Sequence, residues 1–345
     1  MRNPFIAGSW VRGDNFFGRA GILRTILEGE RDSLWVVGAR RLGKTSLLKQ
    51  LEYAVQQSAQ TPYVPLYWDL QGSADARGLA EGLLVSVEDS EGFRRATDIA
   101  VEHLEGMATV EMLTTVIRRT VRSGCRLLLL VDEAEEFLTI SRQDPVILPR
   151  LRRIFQKGPE CRAVLTSTKR LARVDEKPDL DTSPFLQGFI PPTYLTPLTP
   201  EEARSLLARG RFAPEEVEQI LERTASHPFL VQLIASRLFE SHDLGATLDQ
   251  VAADEMVANF FSVDFQTLDA DERTVLEHLA RGGASSRRDL AAAIRRTEED
   301  AEPLLFGLRM MGYLAVEGTT HRIGNWFFER WLRRVTAGQS EVGRV

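Results

Sequence analysis

Gly38-Ala39-Arg40-Arg41-Leu42-Gly43-Lys44-Thr45 satisfies the pattern G-x-x-x-x-G-K-[ST] at every fixed position, and each fixed residue type has a task in holding phosphate. The two glycines permit backbone angles that turn successive N–H groups inward as an anion nest. The lysine reaches the β- and γ-phosphates, and the hydroxyl after it binds Mg²⁺. The nucleotide-binding candidates here are therefore Gly38, Arg41, Leu42, Gly43, Lys44, Thr45 and Ser46. A second constellation is Leu127-Leu128-Leu129-Leu130-Val131-Asp132-Glu133, an apolar run that ends in two acids. A strand buried on both faces reads as a continuous apolar run, so Asp132 emerges at its carboxyl tip. Asp132 is placed there to hold Mg²⁺ beside Thr45, and Glu133 to orient and deprotonate an attacking water. Lys44 and Glu133 are the catalytic candidates, Thr45 and Asp132 the metal ligands. A third run, Ala163-Val164-Leu165, ends in Thr166-Ser167-Thr168, hydroxyls suited to touch the γ-phosphate or the water. The acid pair and an extra strand between the two motifs point to ATPases with an added catalytic glutamate. A GTPase would need N/T-K-x-D to read guanine, and Thr168-Lys169-Arg170 continues to Leu171.

These groups need a frame. Residues 33–200 alternate short apolar runs with helical patterns, the signature of a parallel sheet flanked by helices. Strands are expected near Leu34–Val37, Val64–Leu70, Arg126–Val131, Ala163–Thr166 and Thr193–Leu195, with the ligand at their carboxyl ends. Ser46–Glu52 reads as the first turns of the helix after the phosphate loop, so its free N–H groups face the phosphates. Thr199-Pro200-Glu201-Glu202 opens a further helix with a cap, a proline and first-turn acids. Residues 199 to 262 read as helix throughout. From Thr267 follow helices at Asp271–Leu279, Ser286–Arg296 and Glu299–Met311, a hairpin-like wing (Tyr313–Val316, His321–Ile323) and an amphipathic segment from Trp326. The expected domains are an N-terminal arm (1–30), a P-loop ATPase core (31–198), a helical lid (199–264) and a winged-helix domain (265–345).

Composition is that of a globular chain, 43% hydrophobic and 27% charged over 345 residues. No run approaches the ~20 apolar residues of a membrane span, and the N-terminus lacks a signal-like apolar region, so a cytoplasmic location is expected. Cys125 and Cys161 read as free thiols at the core's edge, and the five histidines form no ligand pair. The formal net charge of −6 argues against obligate nucleic-acid binding by the whole chain.

Phe16-Phe17-Gly18-Arg19, the loop ending GKTSLL, LLLLVDEAEEF, AVLTST and Ser226-His227-Pro228-Phe229-Leu230 occur in this order. Together they resemble the STAND-type ATPases of bacteria and archaea, relatives of AAA+ proteins and of archaeal origin-recognition ATPases, over about residues 1 to 335. The resemblance implies an α/β P-loop fold of the AAA+-like branch, followed by a helical lid and a winged helix. It implies ATP or ADP with Mg²⁺ as cofactors. Phe17 and Arg19 would contact the nucleotide from the arm, although the acid that follows them in the family is replaced by Ala20-Gly21-Ile22. His227 and Pro228 would contact it from the lid, where Ser226 stands in place of glycine. Thr166 and Ser167 would serve as the sensor. Such proteins act as slowly hydrolysing switches that open and oligomerise with ATP to control a partner protein, often in signalling or defence.

The alternative is a DNA-binding ATPase of the origin-recognition or transposition-loader type. Against it, the third helix of the expected winged helix begins with Glu298, Glu299, Asp300 and Glu302, which repel phosphates. Acids and arginines balance across the domain, although Arg287, Arg288, Arg295 and Arg296 form a local basic face. A stronger basic stretch (Arg150, Arg152, Arg153, Lys157, Arg162, Lys169, Arg170, Arg173) flanks a helix whose apolar face is Leu148, Leu151, Ile154 and Phe155. Most of its bases are expected to point outward, as a solvated face, a subunit interface lending Arg170 or Arg173 to a neighbour's γ-phosphate, or a phosphate-gripping strip. A nucleotide-dependent homo-oligomer and an effector protein are the expected partners; nucleic acid is not favoured, nor a membrane.

Overall fold

A computed structural model describes residues 2–176 and 184–342, with side chains through residue 337. Its contacts divide into two units, one made of residues 10–38 and 44–193, the other of 1–9, the short loop segment 39–43 and 194–345.

The first unit is built on parallel strands. Helix α1 (Ala20–Glu28) leads into β1 (Ser33–Val37), then α2 (Lys44–Gln57) and β2 (Tyr63–Asp69). Helices α3 (Ala76–Asp89), α4 (Glu91–Thr97) and α5 (Thr109–Arg122) precede β3 (Arg126–Asp132). After α6 (Phe137–Gln143) and α7 (Ile147–Phe155) come β4 (Cys161–Ser167) and the short β5 (Thr193–Tyr194). The sheet order is β2-β3-β4-β1-β5, with β1 to β4 paired in parallel. This is the P-loop α/β fold expected from the sequence, and all five strands lie within about two residues of their expected positions. Every residue of β1 and β4 is buried, because helices cover both faces. Leu127 to Val131 of β3 are wholly inaccessible, each contributing about 1.5–3 kcal/mol of burial.

Most bases of the basic stretch point outward as expected, and one does not. Arg162 in β4 does not face solvent. It is 3% exposed, and its guanidinium donates to the carbonyls of Ile26 at 2.7 Å, Leu27 at 3.1 Å and Gly29 at 2.7 Å. Those carbonyls end α1, where a helix leaves acceptors unpaired and favours positive charge. Asp32 joins Arg162 (3.2 Å) to Arg126 (2.7 Å). The helix face expected at Leu148, Leu151, Ile154 and Phe155 is buried, while Arg150, Arg153, Arg170 and Arg173 are exposed.

The second unit is mostly helical: α8 (Pro200–Leu207), α9 (Pro214–Thr224), α10 (Pro228–Ser241), α11 (Leu244–Ala253), α12 (Glu255–Gln266) and α13 (Ala270–Gly282). The cap read at Thr199 is a full capping box with Glu202. Then follow β6 (Ser285–Ser286), α14 (Arg287–Ala293), α15 (Glu298–Met310), the hairpin β7 (Leu314–Glu317) and β8 (Thr320–Ile323), and α16 (Trp326–Val342). Ser286, expected to begin a helix, instead pairs antiparallel with Thr320, as Ser285 does with His321, making a three-stranded sheet in the order β6-β8-β7. Helix α14 therefore starts one residue later, capped by the Ser286 hydroxyl. Phe261, Phe265, Phe328 and Trp331 form an aromatic cluster between α12 and α16. Residues 2–9 pack in the same unit: Asn3 donates to the Ser236 carbonyl, the Ile6 N–H to Gln232, and Phe5 stacks on Phe212. Among the described residues, no helix is long and apolar enough to cross a membrane.

Candidate nucleotide site

The loop from Gly38 to Thr45 leaves the carboxyl end of β1 and enters α2, which starts at Lys44 itself, two residues earlier than the apolar pattern implied. Gly38 keeps the sheet's ladder with a bond to the Ser167 carbonyl at 3.2 Å. Left-handed backbone angles in the loop fall on Arg41 (φ 62°) and Gly43 (φ 94°), not on Gly38. Gly38 still continues the strand, so the turn is made three residues further on. Lys44 is buried, and its ammonium donates to the Gly38 carbonyl at 3.2 Å, folded back across the loop it serves. Leu42 is sequestered in the core. Arg41 places its guanidinium 5.1 Å from the Phe229 ring and donates to the Gly8 carbonyl. The Ser46 hydroxyl accepts from the Val11 N–H at 3.1 Å, tying the segment after the arm's first residues to α2.

Asp132 ends β3 and is 1% exposed. Its Oδ1 accepts the Thr166 hydroxyl and, at 3.0 Å, the N–H of Glu133. Its Oδ2 accepts the Tyr67 hydroxyl at 3.1 Å. Register explains these partners. Val131 pairs with Leu165, so Thr166 on β4 is the next neighbour of Asp132. Asp69 pairs with Asp132 on the other side, and Tyr67, two residues earlier, shares that face. Burial, followed by the charges of Asp132 and Asp69, raises the Tyr67 phenol above its ordinary pKa, so it remains a donor. Tyr67 was not among the sequence candidates, since a tyrosine inside an apolar strand reads as core. Glu133 adopts φ 51°, a left-handed angle that turns the chain out of the strand directly after Asp132. Non-glycine residues held in that region cost energy and cluster at functional sites.

The three hydroxyls at the end of β4 are separated by their bonds. Thr166 is committed to Asp132. Ser167 accepts the Trp35 indole N–H at 2.7 Å and donates to the Thr168 carbonyl. The Thr168 N–H is held by the Glu135 carboxylate, while its buried Oγ1 meets no hydrogen-bond partner among the described residues. Cys161, at the other end of the strand, is a free buried thiol pushed up to about 12 by desolvation, unsuited to reactivity at neutral pH.

In the second unit, Ala225 and Ser226 take left-handed angles of 47° and 54°, so serine occupies the conformation for which glycine is expected. His227 occupies the position before α10, Pro228 is the helix's first residue, and the His227 ring meets Phe260 edge-on at 5.8 Å. The loop segment belongs here too: the Arg40 N–H donates to Asp264 Oδ1 at 3.0 Å, and Asp264 Oδ2 accepts the Tyr313 hydroxyl. One amide of the phosphate loop is thus given to a carboxylate of α12. In the arm, Arg19 is buried at the start of α1 with φ 65°, and Phe17 is half-buried.

Residues 27–174 match the family model described as an AAA domain. Over the whole chain the fold is similar to a Walker-type ATPase of Pyrococcus abyssi, with a TM-score of 0.71 and 17% identity, covering 96% of this chain and 99% of that one. It is also similar to the ORC2 protein of Aeropyrum pernix, solved as ADPNP–ADP complexes, with a TM-score of 0.53, 15% identity, and coverage of 96% and 98%. No curated protein matches the sequence.

Proposed function

We propose that the chain is a Mg²⁺-dependent ATPase of low turnover that works as a switch, changing conformation or oligomerising with nucleotide to control a partner protein. The observation that carries this reading is the pairing of a complete phosphate loop after β1 with a buried aspartate and a turned-out glutamate after β3 of the same sheet. The AAA-domain match over residues 27–174 and the fold shared with a nucleotide-bound archaeal protein support it.

In this reading the loop amides and Lys44 hold the β- and γ-phosphates. Thr45 and Asp132 would hold Mg²⁺, and their hard oxygen donors, one hydroxyl and one carboxylate, suit a cation that otherwise keeps waters and phosphate oxygens. When bound, Mg²⁺ would neutralise charge building on the phosphate oxygens. Glu133 takes the proton of a water attacking the γ-phosphorus, while the bond to the leaving oxygen of ADP breaks. Two expected outcomes test the assignment. Lys44→Ala abolishes binding of a fluorescent ATP analogue. Glu133→Gln binds it as the wild type does and loses about 100-fold or more in turnover, the worth of a positioned base. Turnover of Glu133→Gln at the wild-type rate would refute the catalytic assignment.

The switch reading is favoured over DNA binding by the charges of the C-terminal elements, where α13, α14 and α15 precede the β7–β8 hairpin. Arg287 is paired with Glu302 at 3.0 Å and Arg296 with Asp271 at 2.5 Å, so part of that basic face is already neutralised. The DNA reading retains the exposed Arg150 and Arg153 of α7. A mobility-shift titration decides between them: retention that falls steeply with salt and disappears in the Arg150→Ala/Arg153→Ala variant favours DNA. Light scattering with and without ATP tests the nucleotide-dependent oligomer.

A further inference from the structure

We propose that Tyr67 is a positioning residue that aims the free side of the Asp132 carboxylate at the metal, and that Lys49 in turn holds Tyr67. The inference rests on the nucleotide-site reading above and assigns roles to two residues outside its sequence motifs. Among the described residues Asp132 receives three donors: the Thr166 hydroxyl and the Glu133 N–H on Oδ1, and the Tyr67 hydroxyl on Oδ2 at 3.1 Å. A carboxylate presents about four lone-pair sites. Both sites on Oδ1 are filled, so the site left for a cation or its bound water is on Oδ2, beside the phenol. The two bonds to Oδ1 set the plane of the carboxylate, and among the described residues Tyr67 is the donor that holds Oδ2 itself in that plane.

Tyr67 is itself braced. The Lys49 ammonium lies 3.3 Å from the centre of its ring and 3.3 Å from the Glu52 carboxylate. The side chains of Lys49 and Glu52 are only 17% and 11% exposed, a partly desolvated setting in which a cation–π contact is stronger than at the surface. Lys49 stands on α2, the helix that begins with Lys44 and Thr45. One rigid element therefore carries the phosphate lysine, the metal hydroxyl and the cation that pins the tyrosine, and β2 carries the tyrosine to the carboxylate. Partners of this kind, bonded to a ligand rather than to the metal, set ligand orientation and metal affinity.

The test measures ADP binding to the full chain by fluorescence of a labelled ADP, first in EDTA and then along a Mg²⁺ titration. Tyr67→Phe keeps the ring and removes only the hydroxyl. It is expected to bind ADP in EDTA as the wild type does, and to need about tenfold more Mg²⁺ for half-saturation. Lys49→Met is expected to shift the Mg²⁺ midpoint in the same direction by a smaller factor, and Lys49→Arg to restore it. A Tyr67→Phe midpoint within twofold of the wild type overturns the positioning role, as does an equal loss of affinity with and without Mg²⁺, which would mark a merely structural tyrosine. An unchanged midpoint in Lys49→Met overturns the brace. A wild type that binds no ADP under either condition refutes the nucleotide-site reading itself, and the proposal with it.

Discussion

The Thr168 hydroxyl is buried at the end of β4 and bonds nothing among the described residues, while its neighbours Thr166 and Ser167 are both committed. A buried hydroxyl without a partner costs about 1–3 kcal/mol, and replacing it by a methyl group of the same shape recovers part of that. Thr168→Val is therefore expected to raise the stability of the nucleotide-free protein by about 1 kcal/mol, read as an increase in melting temperature. If Thr168 is the hydroxyl that meets the γ-phosphate or the water, the same variant also loses turnover. A stabilised variant with unchanged turnover would remove Thr168 from the chemistry and leave a packing defect. The sequence offered three hydroxyls in a row and no way to rank them. What ranks them is the strand register, which sets Thr166 beside Asp132, and the Trp35 indole, whose reach to Ser167 spans 132 residues.

The strands and the phosphate loop were legible because their signals are local: an apolar run with acids at its tip, and a motif whose backbone is set by its own residues. Side chains that tie one element to another were not. Arg162 reads as one more base in a basic stretch, yet it holds the last carbonyls of α1 across more than 130 residues of chain. A signal was present, for a charged residue among Cys161, Ala163, Val164 and Leu165 sits where charges are rarely buried without partners. Asp264, between Phe261 and Phe265, carries the same signal. Arg162→Met keeps the stem and removes the guanidinium, stranding the carbonyls of Ile26, Leu27 and Gly29. The expected loss is about 3 kcal/mol or more, since each buried acceptor left unpaired costs about 1–3. Arg162→Lys should recover little of it, because one ammonium cannot match the guanidinium's fork. Denaturant melts of the three proteins measure this, and a loss below about 1 kcal/mol in Arg162→Met would show that water satisfies the end of α1.

Residues 39–43 of the loop pack in the same unit as the helices and hairpin that follow residue 194. The Arg40 N–H and the Tyr313 hydroxyl share the two oxygens of Asp264, so the segment that would cradle phosphate, α12 and the start of the β7 hairpin meet on one buried carboxylate. Burial and that carboxylate raise the Tyr313 phenol well above its ordinary pKa, so it stays a donor and the link survives any ordinary rise in pH. Bound nucleotide at ~100 times its dissociation constant stabilises a protein by about 2.7 kcal/mol. If the loop's anchoring and its binding of phosphate are coupled, removing the anchor must change that increment, and reciprocity requires nucleotide to change the strength of the anchor equally. Asp264→Asn keeps the volume and one acceptor oxygen but loses the charge, so it cannot accept from both donors as the carboxylate does. It is expected to lower the stability of the nucleotide-free protein by about 1–3 kcal/mol. Its gain from a fixed concentration of Mg-ADP should also differ from that of the wild type. Tyr313→Phe, which leaves the Arg40 bond in place, should lose stability yet keep the wild-type increment. Equal increments in all three proteins would show that the carboxylate only holds the C-terminal elements together, and that nothing passes through it to the phosphate loop.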